Sequence, residues 1–311
     1  MKYKVSVVVL TYYHEQFLEA ALESVINQKC NFDFEVLVSD DCSKDNTLAI
    51  AHKYEMLYPN KVKVFSCKNN VGTCRNFYDA FMRCEGKYIV SMAGDDCFCD
   101  NEKLQKQVDF LEKEENSSYI AVATSVKEVF LDGVESKNVF PDKKYRGKEF
   151  NYSDFVTGNN YPVHGLMVRN IFKEESVNEE FKNIYYFSKY VEDLTYNFFL
   201  FNQGRVFVLE DVTYAVTTRG KVEKNQHNYN TIRAERDKII DHIELLNKIN
   251  DYYGGDLNLK NRYSSFLSRI VVAFIKTRDI SFIKCFKLVP RKYWKYTLFG
   301  ILKSIERKAR K

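Results

Sequence analysis

The sequence predicts an α/β fold, a mostly parallel sheet in the N-terminal half followed by a helical C-terminal extension. Three observations carry this prediction. From Lys4 to about Ser91, short β-branched runs alternate with longer helical patterns, the signature of successive β-α-β units. Beyond residue 220 the apolar spacing is helical. The 311 residues are 45% hydrophobic, enough to bury a large core.

Four strands can be placed in order: Val5 to Leu10, Glu35 to Ser39, Val62 to Ser66 and Tyr88 to Ala93. Each is short and rich in Val, Ile, Leu or aromatics, as strands covered on both faces are. Lys2 and Lys4 before the first strand imitate a signal peptide, but the apolar stretch is too short and Thr11, His14 and Glu15 follow at once. The first helix runs from about Glu15 to Gln28, with Phe17, Leu18, Ala21, Leu22, Val25 and Ile26 on one face. The second begins near Asp45, where Ser43 and Asp45 are capping candidates, and continues to Tyr58 before Pro59. A third spans about Glu102 to Glu115, followed by a strand from Tyr119 to Val129. The stretch Leu131 to Asn151 is polar and turn-rich, and a subdomain change is placed there. Later helices are expected over Thr231 to Tyr252, ended by Gly254 and Gly255, and over Lys260 to Lys276, with Pro290 as a break. The organisation predicted is therefore 1–130, 131–220 and a helical 221–311.

Charge is unevenly placed. Residues 280–311 hold ten Lys or Arg against the single Glu306, a net +9, so the other 279 residues carry −4 of the total +5. A nucleic-acid partner for the core is thereby excluded, and a local anionic partner at the C-terminal end is implied. The eight cysteines show no CxxC spacing, so reduced thiols are expected and Cys97 and Cys99 read as packing residues. The longest apolar run, Ile270 to Ile275, is far short of a membrane span.

Ligands of open parallel sheets bind at the carboxyl ends of the strands. Acidic residues fall at those ends here: Asp40-Asp41 after the second strand and Asp95-Asp96 after the fourth, with Glu192-Asp193 opening a later helical pattern. An Asp at a strand-to-helix turn is commonly a cap, which suffices for Ser43 and Asp45. It does not suffice for Asp95-Asp96, because adjacent carboxylates repel unless a cation or a separate donor is supplied. One carboxylate together with diphosphate oxygens forms a hard site suited to Mg or Mn.

The runs VSVVVLTYYHEQFLEAALESVINQ (Val5 to Gln28), EVLVSDDCSKDNT (Glu35 to Thr47), NNVG (Asn69 to Gly72) and GKYIVSMAGDD (Gly86 to Asp96) resemble family 2 glycosyltransferases in order and spacing. The resemblance covers residues 4 to about 130 strongly. It extends loosely to about 220 through YVEDLTYNFFLFNQG (Tyr190 to Gly204), similar to the family's ED motif. It implies a GT-A fold, with a nucleotide-sugar-binding half over 1–130 and an acceptor-binding half over 131–220. By position, Thr11 and Tyr13 would flank the base of a UDP-linked sugar, Asp41 would accept its imide proton, Asp95 would bind ribose and Asp96 the metal. The pair is contiguous where the family's commoner motif is a spaced DXD. Asp193 matches the general base that takes the acceptor hydroxyl's proton, with inversion at the anomeric carbon. Glu192 would orient it or start the helix. His164, before a segment (Leu166 to Arg169) similar to one flanking the acceptor cleft, either lines the site or is a structural histidine; for His14 and His227 the structural reading is preferred. Arg75 and Asn76 would approach the nucleotide, although their loop is shorter than the family's usual one.

In the tail, Trp294, Leu298, Ile301, Leu302 and Ile305 recur at helical spacing, with Lys292, Lys303, Arg307 and Arg310 mainly opposite. This basic amphipathic pattern suits either an anionic membrane surface, reached through residues 290–311, or packing on the domain. The expectation is a cytoplasmic hexosyl or N-acetylhexosaminyl transferase of surface polysaccharide synthesis, peripheral at the inner face of the plasma membrane, with a saccharide or lipid-linked saccharide as acceptor. The alternative is a catalytically silent nucleotide-sugar-binding subunit that anchors a partner enzyme. A dinucleotide oxidoreductase is disfavoured because Leu10-Thr11-Tyr12-Tyr13 has no glycine for a phosphate turn.

Overall fold

The structure is a computed structural model that describes residues 2–131, 133–156, 165–185, 192–218, 229–255 and 257–297. Its centre is a parallel four-strand unit: β1 (Tyr3–Thr11), β2 (Phe34–Asp40), β3 (Val62–Ser66) and β4 (Gly86–Ala93), in the order β3-β2-β1-β4. Helices α1 (Leu18–Ile26), α2 (Thr47–Leu57) and α3 (Thr73–Arg83) make the crossovers. After β4 come the two-residue β5 (Cys97–Phe98), α4 (Lys103–Glu112) and the long β6 (Tyr119–Phe130).

The sheet then becomes mixed without ending. The stretch expected to be turn-rich contains two short strands, β7 (Glu135–Phe140) on β6 and β8 (Lys148–Phe150), then α5 (Tyr152–Val156). Strand β9 (Met167–Arg169) inserts antiparallel between β4 and β6, and β10 (Arg205–Thr218) lies parallel to β6 beyond it. Helices α6 (Glu175–Tyr185) and α7 (Glu192–Gln203) connect these two strands. One sheet thus carries strands from both sides of residue 131, and six of its ten described strands run in the same direction.

Strand alternation builds a three-layer core. Val8, Leu37 and Ile89 face one apolar cluster with α3 and α7; Val7, Val36 and Val90 face the other with α1 and α4. The first cluster continues into α8 (Tyr229–Tyr252), α9 (Lys260–Thr277) and α10 (Ile280–Lys284), so the helical extension shares the core of the sheet. Tyr263 of α9 donates to Asn247 of α8 (2.6 Å), and Arg262 donates to the Phe155 carbonyl (2.6 Å). Residues Arg291–Tyr296 form a 3₁₀ turn that packs back: buried Tyr293 stacks on Tyr263 at 4.6 Å, and the Trp294 indole donates to the Val289 carbonyl (2.9 Å). The part of the expected amphipathic tail over 298–311 lies outside the described residues.

Candidate active site

The carboxyl ends of β1, β2 and β4 open into a cavity of about 600 Å³. Its floor is set by backbone pairing: the Asp41 amide donates to Thr11 O (2.9 Å) and the Gly94 amide to Leu10 O (2.8 Å). A side chain at Gly94 would lie 2.8 Å from Thr11 and 2.9 Å from His14, so only glycine lets the end of β4 come this close.

The first acidic pair divides its work. Asp40, fully buried, accepts from the Thr11 hydroxyl (3.0 Å), from the Ser66 hydroxyl (3.2 Å) and from the Ser43 amide and hydroxyl, which ties β1, β2 and β3 together. Asp41 lines the cavity, and its two oxygens accept the amides of Val71 (2.7 Å) and Gly72 (2.9 Å). Burial raises its carboxyl above the usual value, and the two amides pull it back. Each of its oxygens keeps a second lone pair for a ligand. The carboxylate therefore shapes the Asn70–Gly72 turn, where Gly72 sits at φ 85° before α3. Asn76 locks α3 to β2 by exchanging hydrogen bonds with Ser39 (2.6 and 3.0 Å). Of the two capping candidates for α2, Asp45 accepts the Thr47 amide (3.1 Å), but the Ser43 hydroxyl accepts the Tyr13 amide, because the chain at Cys42 takes φ 66° and turns Ser43 toward β1.

The second pair is also unequal. Asp96 is buried and lines the cavity; its oxygens accept the Tyr214 hydroxyl (2.9 Å) and the Thr217 amide (2.9 Å). This follows from β5, which runs antiparallel to β10 with Ala215 opposite Cys97 and so brings Thr217 over the preceding residue. Burial pushes the Asp96 carboxyl up to about 6, the two donors pull it down and neighbouring Asp95 pushes it up. Asp95 is more exposed, 3.8 Å from His14 Nε2.

Several expected residues fall elsewhere. Tyr13 is 48% exposed and outside the cavity lining; its neighbour Tyr12, edge-on to it at 4.5 Å, lines the cavity. The turn at Tyr13 has φ 58°, which sends consecutive side chains in different directions. Arg75 is also outside the lining, an exposed residue 3.6 Å from Asp79 on α3, whereas Asn76, expected beside it, does line the cavity together with Thr73. Glu192 and Asp193 open α7, whose next turn brings Tyr196 and Asn197 into the lining; the side chains of 192–195 and the whole of His164 lie outside the described residues. His14, read from sequence as structural, lines the cavity, and its Nδ1 is buried with no hydrogen-bond partner among the described residues. Tyr214 and Thr217 gave no motif, although Val206, Val208, Val212, Tyr214 and Val216 alternate as a strand should.

Among the described residues no three His, Cys, Asp or Glu side chains form a metal cage of their own. The donor chemistry nonetheless fits Mg or Mn. Asp96 is a hard oxygen donor in the cavity lining with lone pairs beyond the two it uses, Asp95 stands outside that lining as its chain neighbour, and such ions take only one or two carboxylates besides phosphate oxygens.

A family model described as Glycosyl transferase family 2 matches residues 6–175. The chain belongs to that family. Among curated relatives, the minor teichoic acid biosynthesis protein GgaA of Bacillus subtilis is 26% identical over 76% of this chain and 49% of its own length. An uncharacterized protein of Mycobacterium bovis is 28% identical over 55% of this chain and 45% of its own. The chain thus spans about half the length of these relatives. Residues 1–349 of S. aureus TarS, crystallised with UDP-GlcNAc, superpose with a TM-score of 0.55 at 22% identity, covering 87% of this chain and 81% of that one. A mannosyltransferase from Pyrobaculum calidifontis, solved with GDP-Man and Mn2+, gives 0.52 at 14% identity over 83% and 66%. At these identities the likeness is one of fold, and the fold is GT-A.

Proposed function

We propose that this family 2 chain is an inverting, metal-dependent glycosyltransferase that moves a hexosyl or N-acetylhexosaminyl group from a UDP-sugar to a saccharide or lipid-linked saccharide of a surface polysaccharide. The observation that carries this reading is the meeting of Asp41, Asp96 and His14 around one cavity at the carboxyl ends of β2, β4 and β1. Thr11, Tyr12 and the Asp41-held turn would receive the base, and Asp95 the ribose. Asp96 would hold the Mg or Mn, which when bound offsets charge on the departing diphosphate. Asp193, one turn before the cavity-lining Asn197, would take the acceptor hydroxyl's proton as it attacks the anomeric carbon from the side opposite the diphosphate. Glu192 would orient it.

The acceptor would be met at an anionic membrane surface on the cytoplasmic side. Support comes from the +9 charge of residues 280–311 and from Ile275, Ile280 and Trp294, which are 56%, 60% and 37% exposed in the same part of the chain. Each Lys or Arg near such a surface adds about 1 kcal/mol. No helix among the described residues is long and apolar enough to cross a membrane.

The test is release of nucleoside diphosphate from a panel of sugar nucleotides with Mn2+, wild type against Asp193→Asn. Turnover that Asp193→Asn abolishes supports the assignment, and full activity in the variant refutes it. Tight UDP binding without turnover of any donor would favour the silent, membrane-anchoring subunit.

A further inference from the structure

Behind the cavity lies a polar cluster that the reaction outlined above does not use. Lys103, the first residue of α4, is fully buried, as are Gln107, Thr124 of β6 and Thr213 of β10. The Lys103 ammonium donates to Gly165 O (2.9 Å), Gln107 Oε1 (2.8 Å) and Thr124 Oγ1 (3.4 Å), one acceptor for each of its three protons. Gln107 Nε2 donates to the same Gly165 carbonyl (2.7 Å) and to Val122 O (3.0 Å). Thr124 accepts from Thr213 (2.7 Å) and turns its own proton to Gly165 O (3.5 Å). The rings of Phe98 and Tyr214 lie 5.2 and 6.0 Å from the ammonium.

Two features distinguish this cluster from ordinary packing. Among the described residues no carboxylate is a hydrogen-bond partner of Lys103, and burial pulls its ammonium down to about 7, so an apolar residue of the same length would fill the space at lower cost. Further, one of its three acceptors, the Gly165 carbonyl, belongs to the cavity wall, and the other two brace that same carbonyl. Gly165 and Leu166 line it just before β9, in a turn at φ 65° where a side chain would lie 2.5 Å from Thr124 Oγ1. Tyr214, under the same ammonium, is the residue that donates to Asp96. In strand order, this wall lies past β4, on the side away from Asp41 and β2.

We propose that Lys103 is a positioning residue: with Gln107 and Thr124 it clamps the Gly165 carbonyl, and so fixes the Gly165–Leu166 wall against which the transferred sugar is aligned beside Asp96. The clamp acts on the sugar's placement and leaves nucleotide binding, at the other end of the cavity, nearly untouched. This rests on the transferase reading for its kinetic consequence, but the rigidity of the wall is measurable without turnover.

The experiment compares the wild type with Lys103→Met and Gln107→Met in three readouts: UDP affinity by calorimetry, steady-state transfer, and hydrogen exchange of the amides of residues 165–171. The clamp predicts exchange at 165 and 166 at least about tenfold faster, with residues 5–10 of β1 unchanged. It also predicts UDP affinity within about threefold and kcat at least about tenfold lower, since misplacing the reacting group costs rate before it costs binding. Unchanged exchange, kcat within twofold of wild type, or UDP affinity falling by the same factor as kcat would each overturn it. Should Lys103→Met not fold, Gln107→Met and Thr124→Val carry the same criteria. If the wild type turns over no donor, the transferase reading fails, and the exchange result alone then decides the clamp.

Discussion

Asp96 and Asp41 show how two buried carboxylates at strand ends acquire different tasks. The Asp96 carboxyl, held by Tyr214 and Thr217, sits in surroundings that raise it to about 6. A folded-state value above the unfolded one means that the protonated form is favoured by folding: its contribution is complete below about pH 4 and is lost as pH rises through 6. Asp96→Asn keeps an acceptor for the Thr217 amide and removes the buried charge. In metal-free buffer the variant should therefore melt about 4 °C or more above wild type at pH 8, where the buried charge costs about 3 kcal/mol, and the gap should narrow steadily as pH falls through 6 toward 4. Thermal denaturation at the two pH values checks this. The same variant should lose at least about 100-fold in kcat. Asp41→Ala, by contrast, strands the Val71 and Gly72 amides and should cost about 1–3 kcal/mol in stability, read as a lower denaturation midpoint, while weakening UDP binding at least tenfold.

At the scale of elements, β10 is the member that completes the cavity on the Asp96 side. It pairs with β6 along most of its length, receives β5 on its other edge, and places Tyr214 and Thr217 on Asp96. Tyr214→Phe should reduce kcat by about tenfold with little change in midpoint, because it removes one donor to Asp96 and keeps the ring beside Phe98 and Lys103. The parallel unit was legible in the sequence, since β1 to β4 are doubly covered strands with continuous apolar runs, and all four are found within two residues of their expected ends. Strands β7 and β8 were not, because β7 is a largely exposed edge strand whose polar residues carry no burial signal. The acidic pairs were likewise visible as residues at strand ends. What no local pattern encodes is which side chain enters the cavity: the positive φ at Tyr13 exchanges Tyr13 for Tyr12, and the pairing of β5 with β10 brings in Tyr214 from 118 positions away. Nor does helical spacing encode that Lys103 and Gln107, polar residues of α4, are buried against Gly165, Thr124 and Val122.

Across the whole molecule, the C-terminal helices are part of the same core as the sheet, and the segment up to Thr297 packs against α9. Deletion of residues 290–311 therefore removes both the proposed membrane contact and the buried Tyr293. It should lower the midpoint by about 4 °C or more, given about 2 kcal/mol for a buried aromatic. Deletion of 298–311 leaves that packing in place and is the cleaner test of surface binding: it should abolish flotation with anionic liposomes, and equal flotation of both proteins would refute the membrane role. The central proposal is that the cavity at the carboxyl ends of β1, β2 and β4 binds a nucleotide sugar through a metal held at Asp96. Its most direct measurement is a calorimetric titration of UDP, with and without Mn2+, into wild type and Asp96→Asn. The account predicts saturable 1:1 binding that strengthens at least tenfold with Mn2+ in the wild type and loses that metal dependence in the variant; no binding of UDP by the wild type, or identical metal dependence in both proteins, would contradict it.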